Sequence, residues 1–209
     1  MMRKTEKKSG KRAFVLLVIA IPILAYILSF SSLMHNAEFV EKGMGGRWED
    51  EQYNAINSFV AYYLMDPDEE RLIGLESFSE EEQQHLLDVK KVFHRAFDLL
   101  FLIVGMVLAL AYFNNAAGKG ESWRKILLYS GIITAAIPII LYLIPFGLLF
   151  STVHSVFFAP GTWVFPKDAV LLQVYPIGFW KSAAFSLFLR GFVTGWLLIL
   201  AGFIVGKRK

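Results

Sequence analysis

Four histidines, His35, His85, His94 and His154, are the side chains of this 209-residue chain best suited to proton transfer near neutral pH. Cysteine is absent. That excludes a cysteine nucleophile, a thiolate zinc site, an iron–sulfur cluster and a disulfide framework together. His85 and Asp88 are three residues apart, so on a helix they share a face. His94 comes nine residues after His85, about half a helical turn out of phase, and points elsewhere. His154 stands beside Phe157 and Phe158. Three readings of such a set are open: acid–base and oxyanion chemistry, a metal site completed by Asp88, or polar residues placed where an apolar element ends. The chain has neither an HExxH nor a GxSxG motif. A metalloprotease of that type and a serine hydrolase therefore lack support.

The elements that must carry these residues are set by hydrophobicity. Hydrophobic residues make up 56% of the chain and charged ones 19%, and the apolar excess is gathered in blocks. Four runs, 13–34, 96–113, 126–150 and 183–205, are each about long enough to cross ~30 Å of hydrocarbon as a helix. They predict an all-α polytopic membrane protein with four transmembrane helices. The first run is longer than the apolar core of a signal peptide and lacks a clean small-x-small site, so it reads as an uncleaved anchor. Pro138 and Pro145 predict a kink in the third run. Asp98 and Arg190 lie inside the second and fourth runs at about the same depth, where ionisable groups are costly and seek partners. An Asp98–Arg190 pair is the expectation.

Charge predicts the orientation. Arg3, Lys4, Lys7, Lys8, Lys11 and Arg12 precede the first run, Lys119, Arg124 and Lys125 separate the second from the third, and Lys207, Arg208 and Lys209 close the chain. By the positive-inside rule these segments are cytoplasmic. The stretch 35–93 holds 14 acids against 5 bases, net −9, and belongs outside. The overall +3 is thus the remainder of two opposed fields, and with no aromatic-interleaved basic stripe it does not indicate a nucleic-acid partner.

The expected organisation follows. Residues 1–34 form a basic cytoplasmic N-terminus and the first span, 35–93 an extracellular cap, and 94–114 the second span. A cytoplasmic loop at 115–125 leads to the third span at 126–150. An aromatic extracellular loop at 151–181, the fourth span at 182–206 and a cytoplasmic tail at 207–209 complete the chain. Within the cap, Gly43–Gly46 and Asp66-Pro67-Asp68 are loop punctuation. Between them, Trp48, Ile56, Phe59, Val60, Tyr63 and Leu64 have the spacing of an amphipathic helix, one able to lie on a membrane surface. Ser79 followed by Glu82 is a capping box that opens the helix bearing His85. The loop 151–181 contains Phe157, Phe158, Trp163, Phe165, Tyr175, Phe179 and Trp180. Composition leaves open whether they form a headgroup-level belt or an apolar pocket.

The run His85-Leu86-Leu87-Asp88-Val89-Lys90 resembles a motif of the bacterial lipoprotein intramolecular transacylases. So do His154-Ser155-Val156-Phe157-Phe158, then Gly161-Thr162-Trp163-Val164-Phe165-Pro166, and Val174-Tyr175-Pro176 followed by Phe179-Trp180. The four-span plan with an external cap is similar as well. The resemblance implies a plasma-membrane acyltransferase acting on diacylglyceryl-modified lipoproteins. It implies movement of an acyl chain from the second glyceryl oxygen to the α-amino group of the N-terminal cysteine, giving the lyso-form. It places catalytic histidines at His85 and His154. One is expected to be the base and the other to stabilise the oxyanion or protonate the leaving oxygen; the sequence does not say which, and His154 is favoured as base, with His85 oriented by Asp88. Asp88, Phe157, Phe158, Trp163, Phe165 and Tyr175 are then expected to bind and fold the substrate. No cofactor, no metal and no covalent acyl-enzyme are expected. The implied partners are the lipoprotein and membrane lipid, and the implied state is a monomer. The competing class is a non-enzymatic lipid-binding or assembly factor with an acidic extracellular cap, in which the histidines would be dispensable. A metal-dependent hydrolase is the third.

Overall fold

A computed structural model of the chain describes residues 2–34, 51–66, 77–116 and 121–207. His35, Gly43–Gly46, Trp48, Pro67, Asp68 and Lys119, all named above, lie outside the described residues. Among those described, seven helices account for the regular structure: α1 (Met2–Met34), α2 (Glu51–Met65), α3 (Glu80–Ala116), α4 (Glu121–Tyr142), α5 (Phe146–Phe157), α6 (Val170–Val174) and α7 (Ile177–Lys207). The chain is an all-α membrane protein. Parts of α1, α3, α4 and α7 make four helices apolar and long enough to span a bilayer. At 37 residues α3 is about 55 Å long, well beyond the ~30 Å it must cross. Its first turns carry Glu80, Glu81, Glu82, Asp88, Lys90 and Lys91, so the apolar later portion is the part that spans.

The apolar run 126–150 is divided between two helices. Leu143 and Ile144 leave helical geometry, and Pro145 sits at φ −52°, ψ 130° as the residue before α5. Proline has no N–H to continue the α4 ladder and disfavours helix at the residue before it. Pro138 stays inside α4. The expected kink is therefore a full break at the second proline.

By its internal contacts the chain divides into two compact units. The first comprises Met1–Ser32, Leu99–Leu143 and Ser186–Lys209. Leu17 and Ile126 are fully buried in it, while Phe101, Leu102, Leu108 and Leu197 point outward. Exposed leucine and phenylalanine of this kind suit a lipid solvent. Within the unit α4 and α7 meet backbone to backbone: a Cβ added to Gly195 would stand 2.7 Å from the carbonyl oxygen of Gly131. Small residues at such a crossing let helices close up where lipid supplies no hydrophobic drive. Polar groups complete the packing. The Tyr26 hydroxyl donates to the Thr134 carbonyl at 2.8 Å, and Ser130 Oγ donates to the Val18 carbonyl at 3.3 Å. Arg190 Nη1 donates to Ser32 Oγ at 3.1 Å, so a hydroxyl receives this guanidinium.

The second unit comprises Leu33–Asp98 and Ile144–Phe185. Its core is Ile56, Val60 and Tyr63 of α2, Phe78 and Leu86 around the start of α3, and Leu171 and Val174 of α6. The amphipathic pattern of α2 is thus spent on this core. Its apolar stripe is inward, and a helix resting on a membrane surface would need the same stripe free. Lys90 closes the α2–α3 contact with its ammonium 4.2 Å from the Tyr63 ring centroid.

Candidate active site

The start of α3 is built around Glu82. Its Oε2 accepts from the Ser79 N–H at 2.9 Å, and Ser79 Oγ accepts from the Glu82 N–H at 3.3 Å, completing the capping box. The second oxygen does something the local motif does not encode. Oε1 accepts from the backbone N–H of Leu171, 89 residues on, at 2.7 Å. One buried carboxylate therefore ties the first turn of α3 to the first turn of α6. His85 follows one turn after Glu82, and α6 follows the segment bearing Trp163 and Phe165. Glu82→Ala would strand both donors and is expected to lower unfolding stability by about 2–3 kcal/mol, with about half of that for Glu82→Gln, which keeps one acceptor. Thermal unfolding of the detergent-solubilised variants measures it. An unchanged transition would show that the tie contributes nothing.

His154 arrives from the last turn of α5. Its Nδ1 lies 2.8 Å from the carbonyl oxygen of Phe150, one turn earlier. A carbonyl can only accept, so Nδ1 carries the hydrogen and neutral His154 presents an unprotonated Nε2. The rings of His85 and His154 are stacked, with centroids 6.2 Å apart and planes inclined at 21°. Aromatic rings enclose the pair. Phe158 and Phe165 meet His85 edge-on at 4.8 and 5.4 Å, and His154 is 3.9 Å from Phe150 and 5.1 Å from Trp163.

The enclosure sets the electrostatics. Burial chiefly, with the neighbouring His154 second, pushes the His85 imidazole down from 6.5 to about 4 against the opposing pull of Asp88. Burial also lowers His154, against the Phe150 carbonyl, which favours its charged form. Both imidazoles are neutral at pH 7. Two buried polar atoms here, His85 Nδ1 and Trp163 Nε1, have no hydrogen-bond partner among the described residues. Buried polar atoms are seldom left so, which marks the chamber as a place for a polar ligand atom.

The sequence-derived residues divide into two groups. His85, His154, Phe158, Trp163 and Phe165 are brought together, with the three aromatic rings packed on the two imidazoles. Asp88 turns away, accepting from Gln84 Nε2 at 3.4 Å and pairing with Lys91 Nζ at 3.3 Å. It acts on His85 through its field, without bonding Nδ1. Phe157 is 56% exposed and meets Phe158 at 6.5 Å. Tyr175 donates to Asn57 Oδ1 at 2.8 Å and packs on Phe179 and Trp180, where burial holds its phenol well above 10. It fastens the loop to α2. His94 Nε2 lies 3.1 Å from the Leu64 carbonyl, away from the pair as its phase requires. Phe150 was missed: nothing in its apolar surroundings distinguishes it, and only its place one turn before His154 gives a signal.

Four helices able to span a bilayer, together with two stacked histidines ringed by aromatic side chains, define an integral membrane protein with a histidine-bearing candidate site. No group of three or more metal-ligating side chains occurs among the described residues. The chain belongs to the lipoprotein intramolecular transacylase (Lit) family, whose model matches residues 11–180. Its fold is that of the membrane integral lipoprotein intramolecular transacylase Lit from Bacillus cereus, with a TM-score of 0.80 at 16% identity, covering 97% of this chain and 98% of that one. Structures of that protein with an H85A or an H85R mutation match at TM-scores of 0.80 and 0.77, each at 15% identity, covering 100% of this chain and 98% of theirs. No curated protein sequence matches the chain.

Proposed function

We propose that this protein moves an acyl chain within a diacylglyceryl lipoprotein, from the second glyceryl ester to the α-amino group of the N-terminal cysteine, leaving a lyso-form product. The observation that carries the reading is the stacked His85–His154 pair at 6.2 Å, with His154 held as an Nδ1–H tautomer. His154 Nε2 is the base. It takes a proton from the α-amine as the nitrogen attacks the ester carbonyl carbon. The tetrahedral intermediate collapses, the bond to the glyceryl oxygen breaks, and the imidazolium returns its proton to that oxygen. His85, kept neutral, donates a hydrogen bond to the oxyanion, as a neutral imidazole can.

No enzyme acyl intermediate is required, because amine and ester belong to one molecule. Holding them together is worth up to ~7–11 kcal/mol, and acid–base help about 10²–10⁴-fold. The rings of Phe150, Phe158, Trp163 and Phe165 keep competing water from the ester. The net −9 of 35–93 and the basic remaining segments support a cap and chamber at the outer face, with both termini cytoplasmic. The protein acts as a monomer, with membrane lipid around it and no metal.

Substrate and product are isomers, so total mass does not report the reaction. Purified protein is expected to remove the free α-amine of a diacylglyceryl lipopeptide at constant mass, with fragmentation showing one chain on nitrogen and one on glycerol. A gain of one acyl mass would indicate a second lipid as donor. An amine that stays free would leave a binding or assembly factor as the better account.

A further inference from the structure

Trp163 is placed by a turn that leaves its backbone little freedom. Pro160 and Gly161 occupy the two central positions, the Thr162 N–H donates to the Ala159 carbonyl at 3.2 Å, and Gly161 has φ +86°. That is the pattern of a type II turn, in which the second central residue needs the left-handed region that glycine tolerates best. Thr162 Oγ1 donates to the same carbonyl at 2.9 Å and tightens the turn. The ring so presented lies 5.1 Å from His154 and 6.5 Å from Phe150. Its Nε1–H is buried and without a partner among the described residues.

An indole N–H can only donate, and a buried one ordinarily finds an acceptor. The nearest chemistry is the His154 ring, whose own N–H is engaged by Phe150. The unmet indole donor therefore suits a ligand oxygen. His85 Nδ1 is the other unpartnered polar atom of the chamber, and the two flank His154 from different segments. Two donors converging on one oxygen make an oxyanion hole, and such donors act most strongly where water is excluded.

We infer that Trp163 is a catalytic residue whose Nε1–H, together with His85, binds the ester carbonyl oxygen and holds the negative charge that develops on it when the substrate amine attacks. The inference rests on the acyl-transfer reading above. Its balance is simple: the carbonyl π pair moves to oxygen as the C–N bond forms, and returns as the C–O bond to glycerol breaks. Trp163 keeps its proton throughout.

The test is Trp163→Phe, which keeps a ring and removes the donor. A second variant carries 3-benzothienylalanine at 163, an indole-shaped ring with sulfur in place of N–H. With a diacylglyceryl lipopeptide in detergent, kcat is expected to fall by about 10²–10³-fold in both, with KM within about twofold of wild type. If Phe at 163 also lowers the unfolding temperature, the benzothienyl variant still removes only the hydrogen bond. A wild-type kcat in that variant overturns the inference, and so does a raised KM with kcat unchanged, which would make Trp163 a binding contact. Transfer lost in His154→Ala but kept without the indole N–H overturns this inference alone. Transfer kept in both also removes the base assignment to His154, whereas a wild-type protein that leaves the lipopeptide amine free overturns the acyl-transfer reading itself.

Discussion

His154→Ala is expected to slow acyl transfer by about 10²–10⁴-fold while leaving the helical fold intact. The argument begins with a hydrogen bond. Nδ1–H is committed to the Phe150 carbonyl at 2.8 Å, so Nε2 is the atom offered to substrate, and its lone pair is free at neutral pH because burial lowers the imidazole. Removing the ring removes the base and nothing that the second unit's core depends on, since His154 is not among the side chains of that core. His85→Ala is expected to cost about 10²–10³-fold, the usual loss for one oxyanion donor. The two variants differ in rescue. The space left by His154, lined by Phe150, Phe158 and Trp163, can receive free imidazole, which restores a base, and transfer should rise with its concentration. For His85→Ala an added base gives no such recovery. Fragment spectra of a lipopeptide product, scored against time, measure both. Wild-type rates in His154→Ala would remove the base assignment, and rescue of His85→Ala alone would exchange the two roles.

What could be read from the residues, and what could not, follows from the range of the interactions. Long apolar runs report on solvent, so the four spanning helices were legible without any tertiary information. The Ser79–Glu82 box is local, and it formed at the expected place. The third run ended early because proline acts on its immediate neighbours, and a hydropathy window averages across that break. The amphipathic stripe of α2 announced burial without saying against what. A bilayer surface and a protein core ask for the same spacing of Ile56, Val60 and Tyr63, and here the core of Phe78, Leu86, Leu171 and Val174 takes them. Within the chamber, residue type picked out both histidines and three of the enclosing rings. Phe157 adjoins Phe158 in sequence yet is 56% exposed and meets neither histidine ring, a difference that residue type does not announce. Glu82 shows the remaining limit. One oxygen obeys a four-residue motif, whereas the other bonds Leu171, and no pattern of sequence separation announces that pairing.

The second large effect is on the dependence of stability on pH. Unfolded, His85 takes up a proton near its ordinary 6.5; folded, burial and the adjacent His154 resist protonation until about 4. Between those values the unfolded chain binds more protons than the folded one, so stability is fully present above about 6.5 and is lost as pH falls toward 4. Two and a half units correspond to about 3 kcal/mol, a large share of the stability of an ordinary domain. His154, lowered in the same direction, adds to the loss. Asp88 works against it and sets its lower edge, since its carboxylate is the group that favours a proton on His85. Thermal unfolding in detergent from pH 7.5 to 4 is expected to show this fall in wild type. Its slope should be shallower in His85→Gln, which does not titrate, and steeper in Asp88→Asn. Parallel curves for wild type and His85→Gln would mean that the imidazole titrates normally in the folded chain. The rate should respond differently. His85 stays neutral down to about 4 and His154 is lowered from its ordinary 6.5, so the acid limb of transfer is expected to follow the substrate amine, whose ordinary value is about 7.7–8.0. Transfer then rises about tenfold per unit below that range and flattens above it. A break between pH 4 and 6 instead would put a histidine proton, in place of the amine's, in control of the step.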